Sequence, residues 1–449
     1  MTEIIAAIII SLFFLLTFLV SKAIHRFFPQ NIELSRKTVH VLGGLIALTI
    51  PVFIQNTLIV TIMCGGSFLF LTILGIKNKL QEVHGVERQS YGAYIFPIAI
   101  LSVYLLANEK PHLYFISIIV LTFSDTAAAL VGSRYGSIRF DVEGNLKSLE
   151  GSLAFFLFTF LCVEIPLLLM TSMDRTMIIL IALIVAIVVT GFELISLSGF
   201  DNLFIPLGTF YAINRLSQYP LAVTYETLIK LILSLVIVFL FFYRFSTSLK
   251  IMMSMFTFAA YALCGFWWPL PTVFFLLFTS LILTNFMTEN PGHKIQIRFT
   301  MRMIFFPSCL MFISAGIDDF RLLFPGYIFL LLISVLWLIF TIYPTQKRIP
   351  KKHLIFKLLI SGIYLICLYV PVFFIYQSDI LWTDFWFTTI STLAVLLILI
   401  GVLKIIEYLI NKRKKIRFYI DSPFFLHWIM ASATLGSIII IIFNLFLTK

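Results

Sequence analysis

Stretches of about 20 mostly apolar residues, the length a bilayer-spanning helix needs, recur from one end of the chain to the other. They occupy 4–22, 57–76, 113–133, 152–171, 176–197, 225–243, 323–343, 355–375, 386–407 and 425–447. Weaker runs lie at 38–54, 91–107, 203–221, 251–269, 271–288 and 301–317. The expected architecture is an all-α polytopic transmembrane helix bundle of roughly 13–16 spans. Outer-membrane strands are excluded, since they are short and alternate apolar with polar residues. Composition agrees: of 449 residues, 61% are hydrophobic and only 12% charged. A water-facing surface could not be covered from so small a polar fraction. Lys22 and Arg26 follow the first run, and no small-residue cleavage pattern accompanies it. It is expected to be a retained helix that enters with its N-terminus outside.

The net charge of +11 reports topology, because Lys and Arg collect in cytoplasmic connectors. Basic connectors are Lys22/Arg26/Arg36/Lys37, Lys77/Lys79/Arg88, Arg134/Arg139/Lys147, Arg244/Lys250, Lys294/Arg298/Arg302, Lys347/Arg348/Lys351/Lys352 and Lys412 to Arg417. Between them stand charge-poor or mixed connectors at Gln55-Asn56, Asn108 to Lys110, Asp174-Arg175, Asp318-Asp319, and Asp379 with Asp384. The two kinds alternate without a break provided that 203–221 crosses the membrane. Basic residues dispersed over loops make no nucleic-acid-binding patch, so no nucleic acid partner is expected. Cys64, Cys162, Cys264, Cys309 and Cys367 each lie in an apolar run and form no paired motif, which fits small apolar packers better than disulfides or zinc ligands.

Polar residues divide the chain. Connectors between 33 and 208 are rich in Gly, Asp, Glu, Lys and Arg, whereas those after about 245 are ordinary flanking charge. A boundary is expected near 245–250, giving regions 1–245 and 246–449. In the second region Trp267-Trp268-Pro269 suits an interfacial connector. The basic cluster from Lys412 to Arg417 suits anionic lipid. No catalytic constellation is visible there, and its role is unassigned.

Four clusters carry the chemistry. Arg36-Lys37-Thr38-Val39-His40 opens the second span, and Arg88-Gln89-Ser90-Tyr91-Gly92 opens the fourth. The longest cluster runs from Phe123-Ser124-Asp125 through Gly132-Ser133-Arg134-Tyr135-Gly136 to Lys147-Ser148-Leu149-Glu150-Gly151-Ser152. Asp125 sits inside an apolar run, where a carboxylate costs a few kcal/mol, so it should face a polar cavity and have a job. Gly132, Gly136, Gly144 and Gly151 would let backbone N–H groups approach phosphate oxygens, while Arg134, Arg139 and Lys147 neutralise them. The fourth cluster, Glu193 to Leu207, places Glu193 in the last turn of a span and Asp201-Asn202 in the following loop. A carboxylate at a helix C-terminus opposes the dipole there and calls for a cation, either Mg²⁺ or a nearby Lys.

In the positive-inside topology all four clusters fall on the cytoplasmic side. Asp125, Glu193 and Asp201, assisted by Glu150, could meet Arg36, Lys37, Arg134 and Lys147 in one inward-facing pocket. Hard oxygen ligands beside cationic donors suit a Mg²⁺–triphosphate. A pocket open to cytosolic nucleotide on one side and to lipid on the other suits phosphorylation of a membrane alcohol. The P-loop pattern and the protein-kinase motifs are absent.

These segments, over roughly residues 33–215 and in this order, resemble the polyprenol kinase family. That group contains dolichol kinases, phytol kinases and CTP-dependent diacylglycerol kinases, and is related to the phosphatidate cytidylyltransferases. The resemblance implies a CTP-dependent (sometimes UTP-dependent) kinase acting on a lipid or isoprenoid alcohol, with Mg²⁺. Carried onto matching positions, Asp125, Glu193 and Asp201 become metal or substrate-hydroxyl groups, and Lys147 and Arg36 become phosphate groups. The expected catalytic set is Asp125, Lys147, Glu150, Glu193 and Asp201. The expected nucleotide and phosphate set is Arg36, Lys37, Arg88, Gly132, Arg134, Gly136, Ser148, Gly151 and Asn202. Two departures from the family pattern, Ser124 before the Asp and Phe200 with Phe204 beside Asp201-Asn202, would narrow the pocket. The cytidylyltransferase elements are absent, which favours phosphoryl over nucleotidyl transfer. A transporter or flippase would instead break helices at the midplane, with Pro97, Gly191 and Pro206 as candidate breaks. A non-catalytic scaffold would leave Asp125 without a task.

Overall fold

The computed structural model describes residues 2–27, 32–76, 92–107, 110–142, 145–195, 199–241, 247–264 and 271–275, with isolated positions from 278 to 331. The apolar runs predicted beyond 331, the tract from Lys412 to Arg417 and Arg88 lie outside the described residues. The chain forms two compact units, Met1–Leu233 and Ser234–Lys449.

The first unit is a helix bundle. Its helices are α1 (Thr2–Phe27), α2 (Ile32–Leu48), the single turn α3 (Ile50–Phe53), α4 (Thr57–Ile76), α5 (Gly92–Leu106) and α6 (Pro111–Ile119). A π-helical segment, Val120–Ser124, joins α6 to α7 (Asp125–Tyr135). After a hairpin of strands β1 (Arg139–Val142) and β2 (Asn145–Ser148) come α8 (Leu149–Met170), α9 (Arg175–Ile195), α10 (Asp201–Leu216) and α11 (Leu221–Phe241), the last running across the unit boundary. In the second unit α12 covers Thr247–Cys264, and the Thr272 and Tyr327 hydroxyls bond to each other.

Six helical stretches among the described residues are long and apolar enough to cross a membrane: Thr2–Ser21, Ser35–Phe53, Thr57–Leu74, Pro111–Tyr135, Leu149–Met170 and Arg175–Leu194. The chain is an integral, multi-pass membrane protein with an all-α bundle architecture, as the apolar runs require. Leu and Ile side chains along α1, α4 and α8 stay exposed, because lipid takes the place of a second protein layer. Exclusion from lipid falls to α9, whose Ile178, Ile181, Ala182, Val185, Ala186 and Val189 are buried. It packs between α8 and α10.

Hydrogen bonds fix the bundle's two ends. At one end Asn56 N–H donates to Glu3 Oε2 at 3.2 Å, and Lys110 Nζ donates to Asn214 Oδ1 at 2.7 Å. Nearby, the hydroxyls of Tyr104 and Tyr114 donate to the Ile54 and Ala47 carbonyls at 2.9 and 2.8 Å. At the other end Asn202 Nδ2 donates to the Gly92 carbonyl at 3.0 Å. Helix α10 therefore runs from one end to the other alongside α5, although its 16 residues are few for a span. That is the crossing on which the alternation of basic and charge-poor connectors depends.

Two local structures differ from expectation. Asp201 was expected in a loop but is the first residue of α10, where the helix dipole favours its charge. The segment from 139 to 148, read as a loop, is an antiparallel hairpin that pairs Arg139 with Ser148, Phe140 with Lys147, Asp141 with Leu146 and Val142 with Asn145. A four-residue strand is too short for periodicity to reveal it.

The hairpin ends where α8 begins. Ser148, extended at φ −124° and ψ 149°, caps α8 by accepting the Gly151 N–H at 3.1 Å. A Cβ on Gly151 would stand 2.8 Å from the Ala128 carbonyl oxygen and 3.1 Å from Gly132 Cα. The α7–α8 contact thus needs glycine at this point. Gly151→Ala should destabilise the protein by about 1–3 kcal/mol, as overpacking of a close contact does. Thermal unfolding in detergent, followed by circular dichroism, measures this.

Candidate active site

The end of the bundle marked by Asn202 and Gly92 gathers the chemistry-bearing residues. Lys37 comes from the first turns of α2 and is 6% exposed. Its Nζ donates to Asp125 Oδ2 at 2.6 Å and to the Asp125 carbonyl at 3.2 Å. His40, one turn further on, brings Nε2 to 3.0 Å from the Leu121 carbonyl and 3.4 Å from Asp125 Oδ2. A carbonyl oxygen only accepts, so Nε2 carries the proton in that bond.

The π-helical segment is the reason Asp125 faces α2. One extra residue in the turn shifts the following side chains around the axis and leaves a carbonyl short of its usual intrahelical partner. The His40 ring bonds to a carbonyl of this segment. Close packing helps, because the Cβ position of Gly44 on α2 is occupied by the Thr122 side chain. Such π-turns concentrate at functional sites. The charge of the Asp201 carboxylate acts on His40, and that of the Arg36 guanidinium acts on Asp125. Arg36 is exposed at the start of α2.

A second lysine–carboxylate pair lies on β2 and α9. Lys147 Nζ donates to Glu193 Oε1 at 2.6 Å and also to the Glu193 carbonyl. The expectation that a cation must compensate Glu193 at its helix C-terminus is thus met by a lysine. Glu193 is 9% exposed, and its other oxygen, Oε2, is buried without a hydrogen-bond partner. The nearby Thr190 hydroxyl is in the same condition. Buried acceptors without partners are rare, and each asks for an explanation such as a ligand.

The remaining predicted residues take up other positions. Gly132, Gly136, Ser148 and Gly151 do meet, but around one another. A Cβ on Gly132 would stand 2.9 Å from Ser148 Oγ, and one on Gly136 would overlap the Gly132 carbonyl. The Gly136 N–H is bonded to that same carbonyl at 3.1 Å, and the Gly151 N–H to Ser148 Oγ. These two amides are therefore engaged within the protein, and the glycines serve the close approach of α7 to α8. Glu150 Oε1 accepts from the backbone N–H groups of Ser137 and Ile138 at 3.0 and 3.2 Å and from the Ser137 hydroxyl. It ties the start of the hairpin to α8. Arg134 is exposed and lies over the Tyr135 ring, 5.4 Å from its centroid. Asn202 holds α10 to the start of α5. Phe200 and Phe204 stack at 6.2 Å, with Phe192 at 6.5 Å from Phe204, forming an aromatic wall beside Asp201.

Among the described residues no group of three or more His, Cys, Asp and Glu side chains is arranged to hold a metal ion. The carboxylates are distributed between two lysine-paired stations. This donor set fits an ion that arrives on a nucleotide, because Mg²⁺ commonly takes one or two carboxylates and completes its shell with phosphate and water.

Comparison with known proteins agrees with the motif order. The chain is 32% identical over 198 residues to phytol kinase of Synechocystis sp., an overlap of 42% of this chain and 82% of that relative. The chain belongs to the polyprenol and phytol kinase family. No family model matches it, and no solved structure does. His40 joins the Asp125 station although the sequence motifs give it no role. The signal was its position four residues after Arg36, one turn from Lys37 on the same helix face.

Proposed function

We propose that this protein is a membrane-embedded kinase that transfers the γ-phosphate of a nucleoside triphosphate, CTP by family resemblance, to the hydroxyl of a lipid or isoprenoid alcohol at the cytoplasmic face. The observation that carries the proposal is the pair of partly buried lysine–carboxylate stations at one end of the bundle, one of which has an orphaned carboxylate oxygen. Phosphoryl transfer consists mainly of positioning and charge neutralisation, and two ammonium groups, the buried one of Lys37 and the partly buried one of Lys147, suit both tasks. The cytoplasmic assignment rests on the basic connectors, which cluster at the same end.

The roles divide as follows. Lys147 is freed from the Glu193 carbonyl when nucleotide enters and neutralises charge on the transferred phosphoryl group. Lys37 fixes Asp125, whose carboxylate orients the attacking alcohol and accepts its proton. Arg36 and Arg134, both exposed, contact the outer phosphates as bidentate donors. Mg²⁺ would be held by Glu193, whose free oxygen is available, with Asp201, and would lower the charge of the phosphates. The aromatic wall of Phe192, Phe200 and Phe204 lies against the isoprenoid chain. The O–P bond to the alcohol forms as the bond to the leaving nucleoside diphosphate breaks.

The test is a panel assay on purified protein in lipid–detergent micelles, with CTP, UTP and ATP against phytol, polyprenols and diacylglycerol. Thin-layer separation should show a phosphorylated alcohol with one nucleotide strongly preferred. Phosphorylation of none of the alcohols by any nucleotide would overturn the proposal. His40→Gln is expected to lower kcat about tenfold to a hundredfold with little change in nucleotide KM, since it loosens the π-segment that aims Asp125. Steady-state kinetics with varied CTP measures the split.

A further inference from the structure

Hydroxyl groups inside the bundle helices follow one habit, and two of them break it. On the rod formed by α6, the π-helical segment and α7, Ser117, Thr122 and Thr126 each donate to the carbonyl four residues before, at 2.7 Å. Ser152 on α8 and Thr209 on α10 do the same at 3.1 and 2.8 Å. Ser124, in the same π-helical segment, and Thr159, in the same α8, do not. Both residues are 0% exposed, and neither hydroxyl oxygen has a hydrogen-bond partner among the described residues.

The two hydroxyls meet at one junction. The π-helical segment packs against α8, and Ser124 stands beside the Cys162 thiol there. Cys162 follows Thr159 by three residues, which puts both on one side of α8. A thiol is a weak hydrogen-bonding group, so it leaves the Ser124 hydroxyl unsatisfied. Depth makes the shortfall costly. Thr159 lies about 15 Å along α8 from Leu149, or half of a hydrocarbon core of roughly 30 Å. Neither lipid nor bulk water supplies a partner at that level.

One water molecule meets both needs. Buried waters are held by otherwise unpaired polar groups, and ordered water is one of the ways a spanning helix tolerates a break in its regular ladder. The side chains of Ser124, Thr159 and Cys162 are all small, and the extra residue of the π-turn displaces the backbone opposite α8. We infer that the junction of the π-helical segment with α8 is a binding site for an ordered water molecule, held by Ser124 Oγ and Thr159 Oγ1. The water braces the π-turn on its α8 side, while His40 holds the Leu121 carbonyl from α2. The inference rests on packing and hydrogen bonding and stands whether or not the protein proves to be a kinase.

Removing one hydroxyl at a time tests it through the sign of the change. Thr159→Val, Ser124→Ala and the double variant, as purified full chains in detergent free of nucleotide and lipid alcohol, are compared with the parent by thermal unfolding. With water joining the two hydroxyls, each single substitution breaks a satisfied bond and should lower Tm by about 3–6 °C. The double variant should lose less than the sum, because the two residues share one ligand. Hydroxyls that are buried without a ligand carry a penalty, so an unchanged or raised Tm in Thr159→Val would overturn the inference. Lowered but additive values would assign the two hydroxyls separate contacts and overturn it equally. Losses that appear only once a lipid alcohol is added would give the site to the alcohol hydroxyl and overturn the assignment to water.

Discussion

Replacing Asp125 by Asn should lower turnover about 10²–10⁴-fold, the range over which a positioned proton acceptor acts. Asn keeps the shape and a hydrogen-bonding oxygen but cannot take the alcohol proton. Asp125 also holds the buried Lys37 ammonium at 2.6 Å, and breaking a buried pair by removing one partner costs about 3–5 kcal/mol. Lost activity in Asp125→Asn alone could therefore be lost folding. The double variant Asp125→Asn/Lys37→Met separates the two effects, because replacing both partners removes the uncompensated charge. It should recover most of the thermal stability while turnover stays low. A double variant that regained activity along with stability would assign the pair a purely structural role.

The second large effect is expected at Lys147. Lys147→Gln should lower kcat about 10²–10³-fold, as the loss of one preorganised charge donor does. Lys147→Arg should not restore it. A guanidinium is planar and forked, and it cannot replace a compact ammonium that donates to both the Glu193 carboxylate and the Glu193 carbonyl. Glu193→Gln supplies the contrast, since it removes the partner but leaves the ammonium. Its effect should fall mainly on the nucleotide–metal KM, with kcat reduced less than in Lys147→Gln. Equal losses in both variants, tracking equal losses of thermal stability, would mean that the pair only fastens α9 to the hairpin.

The helices were legible because a bilayer demands long apolar runs, and α1, α4, α8 and α9 begin and end within a few residues of the runs that predict them. The chemical residues were legible as types, because Asp125 and Glu193 sit where isolated carboxylates are costly. Their partners were not. Nothing in the sequence pairs Lys37 with Asp125, 88 positions away, since the register between α2 and α7 depends on a π-turn and on Gly44 meeting Thr122. The packing of Gly132, Gly136 and Gly151 between α7 and α8 was not legible, because turn glycines and packing glycines look alike until the neighbouring backbone is known. The partners of Glu150 were hidden for a similar reason. Its capture by Ser137 and Ile138 depends on a hairpin that the local pattern does not announce.

The two lysine stations are proposed to serve transfer of a terminal phosphate to an alcohol. Purified protein given CTP radiolabelled at either the γ- or the α-phosphate, with phytol as acceptor and Mg²⁺ present, tests it most directly. Label should enter the lipid product from γ-labelled CTP alone, and none should enter when Asp125→Asn or Lys147→Gln replaces the parent protein. Label entering lipid from α-labelled CTP, or transfer from γ-labelled CTP that survives both substitutions, would contradict it.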